Sequence, residues 1–434
     1  MNYKAYTLRN YREIKQLNQV PEEKLKALEI VSRVLPFKTN NYIVNELINW
    51  NDPFNDPLFK LTFPQKDMLS EYHFDTINEL ILKNAGEYLI NHKINEIRQQ
   101  LNPHPAGQLE YNMPEFEGQT LNGIQHKYNE TMLFFPSHGQ TCHAYCTFCF
   151  RWPQFTGISD LKLAMKDTNL MVRYLKANKE ITDILFTGGD PMIMSAKLLE
   201  RYINPLLNED IPNLQTIRIG SKSLTFWPYR YLTDPDSDDV LRLFEKIVKS
   251  GKHLAFMAHF NHFGELNTEA CVKAIKRIKN TGAEIRSQAP ILNHINANPN
   301  IWIKLWKKQV NLGIIPYYMF IPRNTGSQEY FNVPLVKAYD IFSKAYSNVS
   351  GIARTVRGPS MSTNPGKILI LGCPEINGEK VIALSFIQGR DADWVLKPFF
   401  AKYNENAKWI DELKPAFQEE EDFFYVNEFY DLIE

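Results

Sequence analysis

The chain has 434 residues, in which 49 Lys and Arg balance 49 Asp and Glu, so its formal net charge at pH 7 is zero. This balance excludes the global basic field that draws a protein to nucleic acid or to an anionic membrane, and neither partner is expected. The N-terminal segment is polar, and no later stretch is long and apolar enough to span a bilayer, so a cytoplasmic protein is expected. The length allows one large α/β body with added helical segments, or two to three domains.

The first part of the chain predicts helices. Leu and Ile recur at helical spacing over residues 22–34 and 75–97, between breaks rich in Asn, Asp and Pro. Residues 102–128 are rich in Pro, Gly, Asn and Gln, a composition typical of a connecting segment. We therefore predict a helical N-terminal region with a wrapping segment over residues 1–125.

Beyond this region, short apolar runs alternate with amphipathic stretches, a spacing that predicts repeated βα units and a parallel sheet. The predicted strands are residues 132–136, 184–186, 216–219, 254–258, 284–287 and 315–320. Functional residues are expected directly after these strands, because βα barrels and open parallel sheets build their sites at the carboxyl ends of the strands. The acidic and aromatic tail, residues 419–434, is expected to dock as a cap or to form a subunit contact in a homodimer.

Five cysteines occur, and three of them, Cys142, Cys146 and Cys149, lie close together. An odd number with this distribution argues against a disulfide framework and favours metal binding. Three thiols on one loop after a strand can bind an iron–sulfur cube and leave its fourth iron open for a ligand such as S-adenosylmethionine (SAM). Two alternatives stay open at this point: a zinc site completed by His138 or His143, and buried thiols without metal.

The cysteine spacing resembles that of the radical SAM superfamily, and the surrounding motifs resemble the lysine 2,3-aminomutase family. The similarity runs from about residue 37 to residue 367, in several blocks that keep the family's order. The blocks are NDP at 55–57, HKY at 126–128, TGGDP at 187–191, RIGS at 218–221, HFNH at 259–262 and QAPILNHIN at 288–296. The resemblance implies an α/β fold: a partial (βα)6 barrel of the radical SAM type over residues 126–330, with a C-terminal extension over residues 331–434.

The resemblance also implies that a [4Fe-4S] cluster on the three cysteines cleaves SAM to a 5′-deoxyadenosyl radical, with electrons from a flavodoxin or a ferredoxin. Strand-end position and motif together suggest the residues that bind SAM: Gly188, Gly189, Asp190, Ser221, His259, Asn261 and Gln288. The two glycines are expected to let the backbone approach a ligand, and an ordinary βα turn is the alternative. Arg151 matches the arginine that holds the substrate α-carboxylate in the family, a task suited to a bidentate guanidinium.

In the family, a lysine after a glycine-rich loop forms a Schiff base with pyridoxal 5′-phosphate (PLP), and Lys367 stands at that place. It follows Gly366 and precedes an apolar run, residues 368–371. The loop is poorer in glycine here, and Thr131 replaces a phosphate-binding arginine of the family, so Lys127 is the remaining candidate phosphate ligand. The resemblance thus implies PLP, with a solvent-exposed lysine at a turn as the alternative. Lys367 and Arg151 are the candidate catalytic residues.

The implied substrate pocket departs from that of lysine-using members. Two aspartates that hold the ε-ammonium of lysine in the family are replaced by Ser360 and Arg323. A desolvated contact between a guanidinium and an ammonium costs on the order of several kcal/mol, so free L-lysine is disfavoured and an acidic or hydrogen-bonding side chain is favoured. We therefore predict a PLP-dependent radical SAM 2,3-aminomutase that converts an L-α-amino acid to a β-amino acid. The alternatives are a radical SAM enzyme without PLP that abstracts hydrogen for dehydration, epimerisation or oxidation, and a non-catalytic iron–sulfur protein.

Overall fold

The structure is a computed structural model that describes residues 1–102, 111–157, 163–417 and 422–433. Its strands are β1 (Ala5–Tyr6), β2 (Thr39–Asn40), β3 (Glu115–Phe116), β4 (Gln119–Thr120), β5 (Ile124–Tyr128), β6 (Thr131–Phe134), β7 (Asp183–Phe186), β8 (Thr216–Ser221), β9 (His253–His259), β10 (Glu284–Pro290), β11 (Ile315–Phe320), β12 (Arg357–Ser362), β13 (Gly366–Gly372), β14 (Glu375–Ile376), β15 (Glu379–Gly389) and β16 (Pro398–Lys402). The α-helices of the described residues are α1 (Glu22–Val34), α2 (Pro57–Lys60), α3 (Glu71–Leu82), α4 (Glu87–Gln100), α5 (Thr168–Ala177), α6 (Ala196–Asn208), α7 (Ser223–Phe226), α8 (Ser237–Lys249), α9 (Glu269–Asn280), α10 (Pro299–Asn311), α11 (Gln328–Phe331), α12 (Leu335–Ser347) and α13 (Tyr425–Ile433).

A mixed sheet of 12 strands forms the centre of the molecule. Strands β6 to β12 run parallel in the order of the sequence, and a crossover helix lies between each neighbouring pair. The six predicted strands are confirmed as β6 to β11, and β12 extends the array. Strand β9 is buried at five successive positions, as expected of a parallel strand covered on both faces. The predicted α/β fold with six βα units is therefore confirmed.

The sheet curls until its two ends approach each other. Lys127 on β5 donates a hydrogen bond from Nζ to the carbonyl of Thr363, directly after β12, although six strands separate β5 from β12 in the sheet. Antiparallel strands continue both ends of the parallel array: β5 pairs with β6, and β13 pairs with β12. The curled but open array is the partial barrel that the sequence predicts, and its concave face holds the side chains considered below.

The N-terminal helices form a second apolar core beside the barrel. The helix predicted over residues 22–34 is confirmed as α1. The helix predicted over residues 75–97 is wrong as one element, because the chain turns between α3 and α4. Asn84 adopts a left-handed conformation with φ of 50°, and Gly86 caps α4, so the apolar spacing continues across a break in the backbone helix.

The C-terminal extension packs against the barrel. Phe423, Tyr425 and Phe429 are buried in the main apolar core, so the described part of the aromatic tail docks as expected, while residues 419–421 and 434 lie outside the described residues. The predicted domain boundaries, after residues 125 and 330, fall within β5 and α11. Each boundary therefore marks a change in composition inside a packed element, and the division into domains stays a prediction. None of the helices in the described ranges is both long enough and apolar enough to cross a bilayer.

Candidate active site

The loop after β6 carries the three predicted metal ligands, Cys142, Cys146 and Cys149. The N-terminal region holds this loop through backbone groups: the Tyr145 amide donates to the Lys38 carbonyl at 2.8 Å, and the Thr147 amide donates to the Leu61 carbonyl at 3.0 Å. Lys38 also donates from Nζ to the Cys142 carbonyl at 2.7 Å. Contacts between distant parts of the sequence therefore hold this loop in place.

The three cysteines lie together on the loop after β6. In a [4Fe-4S] cube each cysteine would bind a different iron. The alternative zinc ligand His138 is engaged elsewhere, because its Nδ1 lies 2.8 Å from the Tyr202 hydroxyl. Burial raises the pKa of Cys149 to about 11, so its thiol stays protonated until a metal replaces the proton.

Gly188 and Gly189 let the cysteine loop approach the end of β7. Gly188 has a φ of 129°, and a Cβ there would lie 2.4 Å from the Gln140 side chain. A Cβ on Gly189 would lie 2.5 Å from the Thr141 backbone nitrogen. Any side chain would push the loop away, so the close approach serves packing within the protein. A contact between these glycines and SAM stays a prediction.

The side chains of Asp190 and Ser221 form a hydrogen bond with each other. The Asp190 carboxylate accepts hydrogen bonds from Ser221 Oγ and from the backbone amides of Met192 and Lys222, each at 2.9 Å. The Asp190 amide donates to the Thr141 carbonyl at 2.8 Å. Burial raises the pKa of Asp190, and these hydrogen bonds oppose that shift. The two side chains thus join the cysteine loop to β8, and their contact with a cofactor stays a prediction.

Three other predicted residues meet at the ends of β9 and β10. His259 and Gln288 are register partners on these strands, and Asn261 follows β9 by two residues. His259 Nε2 and Asn261 Nδ2 are buried and have no hydrogen-bond partner among the described residues. The Phe148 ring of the cysteine loop lies 5.6 Å from the His259 ring. An unsatisfied buried polar atom costs about 1–3 kcal/mol, so these two atoms fit a polar ligand beside the cluster, as SAM is.

A buried ion pair that the sequence did not reveal holds the end of β9. Lys222 Nζ lies 2.8 Å from Glu265 Oε1, and both side chains are almost inaccessible to solvent. Lys222 also donates to Asn261 Oδ1 at 2.9 Å and to the His259 carbonyl at 3.2 Å. The second oxygen of Glu265 accepts from the backbone amides of Asn261 and His262. The pair therefore fixes both the backbone and the side chain of the predicted SAM residues.

Lys367 lies on β13 and points along the concave face. Its Nζ donates to Gln388 Oε1 at 3.0 Å and lies 4.1 Å from the centre of the Tyr318 ring. Burial, and then the charges of nearby arginines, lower the pKa of Lys367 from its ordinary 10.5 to about 7. Those arginines are Arg218, Arg357 and Arg323. The alternative of an exposed lysine at a turn is wrong, and the neutral amine that a Schiff base needs is available near neutral pH.

Two guanidinium groups share one aromatic ring in this pocket. Arg151 Cζ lies 5.0 Å from the centre of the Phe150 ring, and Arg323 Cζ lies 4.8 Å from the same centre. Arg323 also donates from Nη2 to Ser362 Oγ at 3.2 Å.

Burial and the charge of Arg323 lower the pKa of Arg151 to about 9. Burial and neighbouring cations, Arg323 first among them, lower the pKa of Lys127 well below its ordinary value. No carboxylate of the described residues acts on these cations to offset their charges.

The remaining predicted residues differ in how they face the pocket. Ser360 is fully buried on β12 with its Oγ 3.5 Å from the Met319 carbonyl, and the serine that contacts Arg323 is Ser362. A substrate contact by Ser360 stays a prediction. Lys127 donates to the Thr363 carbonyl in the loop before Lys367, and its contact with the phosphate of PLP stays a prediction.

Tyr128 adds a polar group that the sequence did not single out. Its hydroxyl is buried without a hydrogen-bond partner in the described ranges, and the charges of Arg323 and Arg390 act on it. An unpaired hydroxyl beside Lys127 and these arginines suits an anionic group such as a phosphate. The residues present therefore fit PLP.

No family model matches the chain. A protein of Aquifex aeolicus (strain VF5) named "Putative L-lysine 2,3-aminomutase" is 31% identical over 401 residues, which cover 92% of this chain and 93% of that protein. The chain belongs to the lysine 2,3-aminomutase-like radical SAM family. The L-lysine 2,3-aminomutase of Bacillus subtilis (strain 168) is 29% identical over 245 residues, 56% of this chain and 49% of that enzyme. The glutamate 2,3-aminomutase of Clostridioides difficile (strain 630) is 24% identical over 255 residues, 59% of this chain and 54% of that enzyme.

Membership of this family makes the chain a radical SAM aminomutase, an isomerase, and implies a [4Fe-4S] cluster, SAM and an amino-acid substrate. Among solved structures, a radical SAM methyltransferase from Sphaerobacter thermophilus aligns with 67% of this chain at 11% identity and a TM-score of 0.37. That similarity is too low to add to the assignment, which depends on the sequence relatives and on the strand order.

Proposed function

We propose that this family member is a PLP-dependent 2,3-aminomutase that acts on an L-α-amino acid with an acidic or hydrogen-bonding side chain, and not on free L-lysine. The charge of the pocket carries this proposal. The charge of Arg323 acts on Arg151, Lys127 and Lys367, and no carboxylate of the described residues is among the groups that shift the pKa of these four residues. Relatives of the chain are named for lysine and for glutamate, so membership of the family is compatible with either kind of substrate.

The position of Arg323 supports an acidic or hydrogen-bonding substrate side chain. Arg151 and Arg323 contact the same Phe150 ring, so Arg323 lies near the residue proposed to bind the α-carboxylate, and we propose that the substrate side chain extends toward it. Two like charges about 4 Å apart repel by about 4 kcal/mol at an effective dielectric constant of about 20. The ammonium of lysine would meet that repulsion, whereas a carboxylate or an amide oxygen would accept hydrogen bonds from the guanidinium.

When bound, the cluster and SAM supply the radical and PLP supplies the electron sink. The chain's own residues bind and orient these groups and the substrate. Lys367, oriented by Gln388, presents a neutral amine for covalent attachment of PLP. Lys127 donates to the Thr363 carbonyl in the loop before Lys367, and a phosphate bound beside it would favour its protonated form. The rings of Tyr145, in the cysteine loop, and Phe155 stack with centroids 4.4 Å apart and place apolar surface beside the cysteines.

A substrate competition tests the proposal. The full chain is reconstituted anaerobically with iron, sulfide, SAM and PLP, and is offered L-glutamate, L-glutamine, neutral amino acids and L-lysine together. Mass spectrometry of the β-amino acids should show that lysine is disfavoured by at least about a hundredfold, or ~3 kcal/mol. Arg323→Gln should reduce this discrimination. Arg354→Gln is the matched control, because Arg354 donates to the carbonyls of Ser347 and Val349 instead of facing the pocket.

The outcomes separate the competing functions. Efficient formation of β-lysine by the wild type contradicts the assignment of Arg323 to the substrate side chain. Cleavage of SAM without PLP binding and without any β-amino acid supports the alternative enzyme that abstracts hydrogen without PLP. A reconstituted chain that binds iron but never cleaves SAM supports the non-catalytic alternative.

A further inference from the structure

We infer that Lys222 and Glu265 are positioning residues for SAM, which hold the Asn261 side-chain amide so that its NH2 group faces the bound cofactor. The inference depends on SAM, which the family implies, and is independent of PLP and of the identity of the substrate. It concerns two residues that do not touch the reacting atoms and that the strand-end pattern does not reveal.

The hydrogen bonds of Asn261 leave one polar group without a partner. Its backbone amide donates to Glu265 Oε2, and its carbonyl accepts from Asn296 Nδ2 at 3.0 Å. Its Oδ1 accepts from Lys222 Nζ at 2.9 Å. An ammonium group has donors only, so Lys222 can bond the oxygen of the amide but not its nitrogen. Lys222 thereby fixes the orientation of the amide, and the buried Nδ2 is the polar atom that has no partner among the described residues.

Glu265 keeps Lys222 in place and anchors the same turn. Its Oε1 accepts from Lys222 Nζ at 2.8 Å, and its Oε2 accepts from the backbone amides of Asn261 and His262. Glu265 is fully buried, and both oxygens of its carboxylate bond within the protein. The two charges therefore act on the site through Asn261 and through the His259 carbonyl, to which Lys222 donates at 3.2 Å.

The turn that carries Asn261 adjoins the cysteine loop. Asn40 donates from Nδ2 to the carbonyl of His143 in that loop at 3.2 Å and to the carbonyl of Phe226 at 2.9 Å. The ring of Phe226 lies 4.7 Å from Lys222 Nζ. The unpartnered Nε2 of His259 belongs to the same strand end, and the Phe148 ring of the cysteine loop packs on its imidazole. The unpartnered nitrogens of Asn261 and His259 at this strand end fit a ligand with matching polar atoms.

A buried ion pair is weak evidence for a stabilising role, because the cost of desolvating both charges commonly cancels their attraction. Removing both charges together should therefore leave the fold stable, while removing one would leave a buried charge unpaired. The informative variant is the double substitution Lys222→Met with Glu265→Gln. The side-chain carbonyl of the new glutamine can still accept from the backbone of the turn, but nothing then holds Asn261 Oδ1.

The experiment measures SAM affinity in the full chain after anaerobic reconstitution of the cluster, by equilibrium dialysis with labelled SAM. The double variant should melt near the wild-type temperature and retain its iron, and its Kd for SAM should rise on the order of tenfold, the loss of one hydrogen bond to the cofactor. Lys222→Arg should keep the wild-type Kd, since a guanidinium also donates to Oδ1 and to Glu265. Lys252→Met is the matched control, because Lys252 donates to the Leu214 carbonyl at the opposite end of β9.

A second variant keeps the test decisive if the double variant does not fold. In Asn261→Asp, the new carboxylate still accepts from Lys222 but has no donor for SAM, so the Kd should again rise at least about tenfold. Wild-type SAM affinity in a folded double variant, or in Asn261→Asp, overturns the inference. A wild-type chain that binds SAM and forms no β-amino acid contradicts the proposed function and leaves this inference standing.

Discussion

The attachment of PLP to Lys367 should depend on pH with a midpoint near 7. Burial, followed by the charges of Arg218, Arg357 and Arg323, lowers the pKa of Lys367 from 10.5 to about 7. At pH 7 about half of the molecules then carry a neutral amine, about 1,600-fold more than a lysine with a pKa of 10.5 would. Only the neutral amine attacks an aldehyde, so the attachment rate should rise as the pH rises through 7 and level off above it.

The assay mixes the chain, freed of PLP, with PLP between about pH 6 and pH 9 and records the rate at which the visible band of the lysine-bound cofactor appears. Borohydride reduction and peptide mass spectrometry identify the lysine, and Lys367→Ala should show no band while it still cleaves SAM. Arg323→Gln removes one nearby positive charge and should move the midpoint to higher pH, whereas the control Arg354→Gln should not. A wild-type midpoint above about pH 9, or a shift to lower pH in Arg323→Gln, would refute the reasoning.

Two further predictions concern the cysteine loop. Alanine at any one of the three cysteines should lower bound iron and abolish 5′-deoxyadenosine formation, measured by iron assay and chromatography; a variant that cleaves SAM at the wild-type rate would show that the ligand set is wrong. Gly189→Ala should weaken retention of the cluster, because its Cβ would lie 2.5 Å from the Thr141 backbone, while the control Gly86→Ala meets no atom within 4 Å. Equal iron content in both glycine variants would contradict this account of the loop.

The sequence predicts the parallel strands well and the ends of the array poorly. Strand β9 is continuously apolar because both of its faces are covered, and such a run is visible without a structure. Strand β12 reads Arg-Gly-Pro-Ser-Met-Ser and has no apolar run, so it was missed. It is a strand because β11 and β13 offer hydrogen-bonding partners on both sides, a tertiary influence that overrides local propensity.

The same distinction applies to the site. His259, Asn261 and Gln288 could be predicted because each follows an apolar run that predicts a strand, and strand ends converge on one edge of the sheet. Lys222 and Glu265 could not, since their contact joins residues 43 positions apart. Gly188 and Gly189 were recognised as important, but the group that approaches them closely is the protein's own cysteine loop.

The positive charges around Lys367 repel one another, and this repulsion determines which ligands bind there favourably. Lys127, Arg151, Arg323 and Lys367 each have a lowered pKa, and each is acted on by burial, most of them also by another cation of the group. An anion that binds among them removes part of this repulsion, so anionic ligands stabilise the folded chain while a cationic ligand adds to the cost. Binding of the first anion also raises the pKa of the cations that remain, because the charge that opposed their protonation is neutralised. The neutral form of Lys367 is therefore most abundant before an anion enters the pocket, and its protonated form gains once a phosphate or a carboxylate is in place.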